Sequence, residues 1–136
     1  MITQVVYLPS YDWEIIVLYC QDGYDERAII AALKSSGCAD DVVDSIRNLI
    51  ADGEPNTGFT YTNSATRTSI VALGPVESPR EFQNTLDHEK SHVVSHIASA
   101  YDINSLSEEY QYLAGDLGEK LLEVARFYLC DACQFR

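Results

Sequence analysis

Cations are scarce in this chain: nine Lys and Arg stand against 21 Asp and Glu, for a net charge of -12. A surface that neutralises phosphates needs clustered Lys and Arg, so nucleic acid is not expected as a ligand. Long apolar runs are missing as well. Nothing approaches the roughly 20 consecutive apolar residues that cross a bilayer, and no membrane segment is expected. Met1-Ile2-Thr3-Gln4 shows no basic stretch leading into an apolar core, so the expected compartment is the cytoplasm. The four cysteines, Cys20, Cys38, Cys130 and Cys133, are then expected as mostly reduced thiols. Cys130-x-x-Cys133 has the spacing of half a zinc site or of a redox pair. No second pair accompanies it, and it reads more simply as an apolar pair at a helix end. With only four prolines, 22% charged and 46% hydrophobic residues, the composition argues against global disorder. A length of 136 residues suits a single domain, 1–136, with enough chain to bury a core.

Histidine is also scarce, with three in the whole chain, yet two of them fall in His88-Glu89-Lys90-Ser91-His92. This is the pattern His-Glu-x-x-His. On a helix, residues four apart share a face one turn from each other, so His88 and His92 can offer two imidazole nitrogens to one metal ion. Glu89 leaves an adjacent face of the same turn, where a carboxylate can take a proton from water. Zn²⁺ suits such a donor set and keeps one position open in catalytic sites. The plainer alternative is a pair of polar helix positions beside a solvated acid. His96 lies one further turn along, but His88 and His96 are separated by about 12 Å of helix rise, too far for one ion to bridge. It is expected as a supporting or partly buried surface residue.

The remaining pattern predicts an α+β domain with its strands early and its longest helices last. Gln4 to Cys20 is rich in Val, Ile, Tyr and Trp and reads as two strands broken at Pro9-Ser10, the second from Trp13 to Tyr19. Asp25-Glu26 and Asp40-Asp41 open two short amphipathic helices, closed by Gly37 and Gly53. Phe59 to Thr62 and Thr68 to Leu73 read as a hairpin joined by Asn63-Ser64-Ala65-Thr66. Glu54 to Gly58 is a turn cluster before it. Ser78-Pro79-Arg80-Glu81 carries a serine N-cap, a proline at the first helical position and a glutamate completing a capping box. The helix it opens runs to about Ala100 with His88 and His92 near its middle. Ser107 caps a last helix from about Glu108 to Leu129.

His88-Glu89-x-x-His92 followed by a helix beginning Glu108-Glu109-Tyr110-Gln111-Tyr112-Leu113 resembles the gluzincin zinc metallopeptidases in their small, single-domain, minigluzincin-like form. It also resembles short His-Glu-x-x-His proteins of phages and gut bacteria. The likeness covers about residues 57–129. It implies a zincin-like domain in which a small antiparallel or mixed sheet packs on an active-site helix and a C-terminal glutamate helix. It further implies that His88, His92 and Glu108 hold Zn²⁺, that Glu89 is the general base, and that a peptide or protein substrate lies extended along the 66–73 strand. Tyr112 is a candidate donor to the oxyanion. Glu109 competes with Glu108 for the third ligand position, because it shares a helix face with Asp116, whereas Glu108 lies over Gly115. Two features depart from the family: Lys90 inside the motif, and Tyr112 or Leu113 where an aspartate commonly follows the ligand glutamate. The activity implied is zinc-dependent endopeptidase. The alternative is a silent zinc-binding structural or regulatory protein that retains the site. Oligomeric state is not legible.

Overall fold

Seven residues from Ile2 to Leu8 form β1, and a 3-10 turn at Pro9–Tyr11 returns the chain into β2, Trp13–Tyr19. In this computed structural model residues 1–52 and 58–130 are described. Two helices follow, α1 (Glu26–Ser35) and α2 (Asp40–Ala51). The Asp25 carboxylate caps α1 by accepting from the Ala28 N–H at 3.0 Å. Gly53, the expected stop of α2, lies outside the described residues. The hairpin is β3 (Gly58–Asn63) and β4 (Thr68–Leu73), and the long helices are α3 (Pro79–Ala100) and α4 (Glu108–Leu129). The domain is therefore α+β, with four helices and a mixed four-stranded sheet.

The strands lie in the order β1-β2-β4-β3; β2 and β4 run parallel, and the two outer pairings are antiparallel. This corrects the expectation that the 66–73 strand offers an open edge. β4 is an inner strand, and β3 is the terminal strand on that side of the described sheet. The physical reason is in the composition: every residue of β4 is buried, as in a strand covered on both faces, while every residue of β3 is half-buried.

Alternation then assigns the layers. Val6, Leu8, Trp13, Ile15, Val17, Tyr19, Val71 and Leu73 face α3 and α4 in one core. Leu18, Cys20, Ile70 and Ala72 face α1 in a second, with Phe59, Tyr61 and Val43 of α2 packed in. On β3 the odd residues join this second core, so Gly58, Thr60 and Thr62 are left facing α3. Serines start both long helices: Ser78 Oγ accepts from Glu81 N at 3.2 Å, and Ser107 Oγ from Tyr110 N at 3.2 Å. Glu81 Oε2 accepts from the backbone N–H of Glu77 at 2.9 Å, one residue earlier than a capping box would have it.

Candidate metal centre

His88 and His92 project from the middle of α3, on the flank that looks toward β3. Their Nε2 atoms are 3.2 Å apart and their rings nearly perpendicular, at 81°. Two nitrogens bound at 2.0–2.1 Å to a tetrahedral zinc stand about 3.3 Å apart, so the pair already has the bite of two ligands. The same separation also suits a hydrogen bond between one protonated and one bare ring nitrogen.

Glu89 behaves differently from its neighbours. It is 4% exposed, while the His88 side chain is 67% exposed. The Thr60 hydroxyl donates to Glu89 Oε2 at 2.6 Å and lies 3.3 Å from the Glu89 carbonyl oxygen. The other carboxylate oxygen, Oε1, lies 3.9 Å from His88 Nε2. Gly58 completes the fit: a β-carbon there would stand 3.5 Å from Glu89 Cγ. The edge strand and the motif carboxylate therefore meet without an intervening side chain.

His96 extends the same face. Its ring stacks near His92, with centroids 6.1 Å apart, and its Nδ1 is 2.7 Å from Thr62 Oγ1. Burial holds the imidazole below its ordinary pKa, and His92 adds to the effect. Thr62 Oγ1 is 2.8 Å from Ser69 Oγ, which accepts from the buried Trp13 indole N–H at 3.0 Å. Since the indole can only donate, the chain is fully satisfied when Ser69 donates to Thr62 and Thr62 to His96 Nδ1. Sequence spacing marked His96 as a supporting or partly buried surface residue; the threonine partners on β3 were invisible without the pairing of α3 and β3.

Lys90, which broke the motif's usual pattern, points away from the histidines. Its ammonium lies between α3 and α4, where a β-carbon at Gly118 would stand 3.4 Å away. The space beside Gly118 is filled by that lysine side chain, whereas a β-carbon at Gly115, the glycine under Glu108, would meet nothing within 4 Å. Tyr112 is 68% exposed on α4. The phenol that reaches α3 is Tyr110, whose OH is 3.4 Å from Ser95 Oγ.

The two candidate glutamates sit in the first turn of α4. The contacts Ser95–Tyr110 and Lys90–Gly118 set the helices antiparallel, which places Glu108 toward the C-terminal end of α3, past Ser95. Glu109 Oε1 accepts from the Tyr11 hydroxyl at 3.3 Å, on the side of the β1–β2 turn. Among the described residues no group of three or more His, Cys, Asp and Glu side chains is gathered in a metal-binding arrangement. Cys130 is exposed, and Cys133 lies outside the described residues. Comparison with protein-family models, with curated proteins and with solved structures finds no match to this chain.

Proposed function

We propose that this chain is a zinc-dependent endopeptidase, with His88 and His92 holding Zn²⁺ and Glu89 acting as general base. The observation that carries the reading is the 3.2 Å separation of the two Nε2 atoms, with a carboxylate oxygen 3.9 Å from one of them. The resemblance to gluzincins supplies Glu108 as the third ligand. Glu108 stands at the start of α4, beyond Ser95, and would have to move toward the pair to complete the ligand set. When bound, zinc would polarise a peptide carbonyl and lower the pKa of a water toward about 7.

The residues around the site divide the remaining work. Glu89 Oε1 takes the proton of the attacking water and passes it to the leaving amine, while Oε2 stays on Thr60. An extended peptide adds to β3, the terminal strand beside α3, through main-chain hydrogen bonds that do not depend on sequence. The cytoplasm suits the buried free thiols Cys20 and Cys38.

A second reading, a zinc-holding structural or regulatory protein without turnover, is favoured by the burial of Glu89 and by the position of Glu108 beyond Ser95. Zinc content and casein hydrolysis of the wild type, His88→Ala, His92→Ala and Glu89→Gln separate the readings. The peptidase predicts about one zinc per chain, lost in both histidine variants, and cleavage that stops in Glu89→Gln while zinc is retained. Zinc without cleavage supports the second reading. Undiminished zinc in both histidine variants removes the site.

A further inference from the structure

The geometry points to Thr60 as a positioning residue that holds Glu89 back from the metal and so keeps it a base instead of a ligand. This rests on the zinc reading of His88 and His92. A single hydroxyl hydrogen, on the inward face of the edge strand, meets Glu89 Oε2 at 2.6 Å. That contact leaves Oε1 toward His88, 3.9 Å from its Nε2. Neighbouring ligands of a tetrahedral zinc stand about 3.3 Å apart, so the oxygen is farther from His88 Nε2 than a second ligand of the same ion would be. A carboxylate so near a dication and so deeply buried would be drawn onto it unless another partner satisfied its charge. Thr60 is that partner. Gly58, two residues earlier on the same face, contributes by leaving room for the Glu89 stem.

Thr60→Val keeps the shape of the strand and removes the donor. The buried carboxylate then lacks a partner, and coordination of the metal becomes its best alternative. We expect Thr60→Val to bind zinc about tenfold more tightly than the wild type or better, and to lose about 10–100-fold in peptide cleavage, the range seen when a supporting partner is removed. Thr60→Ser restores the hydroxyl and both wild-type values. The decisive readout is zinc affinity in the Glu89→Gln background, where Thr60→Val should change nothing because no carboxylate is left to recruit. Thr60→Ala serves in the same cycle if the valine variant fails to fold. Unchanged affinity in Thr60→Val, or an equal change with Glu89 replaced by Gln, overturns the assignment of Thr60 while the metal site stands. Absence of zinc from the wild type overturns the metal reading, and the role of Thr60 falls with it.

Discussion

Lys90 lies against Gly118: a β-carbon on that glycine would stand 3.4 Å from Lys90 Nζ and 4.0 Å from its Cδ. The lysine that interrupts the His-Glu-x-x-His motif is thus spent between the two long helices, in a side chain that is 25% exposed and 4.0 Å from Asp87. It leaves the histidine face uncrowded.

The two glycines of α4 should therefore respond differently to alanine. Glycine inside a helix costs about 1 kcal/mol relative to alanine. Gly115 has open space around its missing β-carbon, so Gly115→Ala should raise unfolding stability by about that amount. Gly118→Ala should gain less, since the lysine must give way by a few tenths of an ångström. Urea unfolding of both variants checks the order, and an equal or larger gain at Gly118 contradicts the packing described.

Gly58 is a harsher case. Its added β-carbon would lie 2.5 Å from the Ala72 carbonyl oxygen, a backbone atom that cannot swing aside. Gly58→Ala should cost about 1–3 kcal/mol, as overpacked sites do, and should loosen β3 from β4. Amide exchange at Phe59 and Tyr61 reports the loosening directly. Unchanged protection at both would show that the strand shifts as a unit without cost.

Most of the fold could be read in advance because local signals agreed with each other. The caps at Asp25, Ser78 and Ser107 and the break at Pro9-Ser10 mark the ends of elements found at those places. Strand order could not be read this way. Whether 59–62 or 68–73 is the inner strand depends on what packs on each face, and the clue was the unbroken run Ile70-Val71-Ala72-Leu73 against threonines alternating with aromatics in β3. The spacing of His88 and His92 announced their convergence. The partners of Glu89 and His96 did not show, because Thr60 and Thr62 come from a strand some thirty residues earlier, and threonine carries no signal of its own. Tyr112 is the phenol the sequence offers as a candidate, and only the rotation of α4 decides that Tyr110 is the one that faces α3.

Alkaline pH should unfold the protein through its buried acids. Burial raises Cys20, Tyr19 and Tyr24, and for Tyr24 burial together with the smaller effects of Cys20 and Glu89 pushes it up to about 12. An acid whose pKa is raised by folding is more protonated in the native state. Its stabilising effect is complete below the unfolded value, about 10 for tyrosine, and is lost as pH climbs toward the folded one. Stability should fall steadily from about pH 9 upward, and Tyr24→Phe should flatten the part above about pH 10. A flat profile from pH 8 to 12 in the wild type would contradict the burial of these groups.

The two glutamates that open α4 differ in their contacts, and that difference bears on which of them would be the third ligand. Glu109 is already engaged, accepting from Tyr11 OH at 3.3 Å, and the Tyr11 phenol is raised by burial and then by Glu109 and Asp116. That carboxylate faces the turn between β1 and β2. Glu108 has no such tie to the turn, and an inward movement of the first turn of α4 is what would bring it to the pair. We therefore expect Glu108→Ala to weaken zinc binding about 10–100-fold and Glu109→Ala to leave it unchanged while lowering stability by about 0.5–1.5 kcal/mol through the lost hydrogen bond. Titration of the apo variants with zinc gives the affinities, and amide exchange across residues 108–112 with and without zinc reports the movement. Loss of affinity only in Glu109→Ala would transfer the role to Glu109 and require its break from Tyr11. Unchanged affinity in both variants would leave a two-histidine site and, with it, the reading of a zinc-holding protein without turnover.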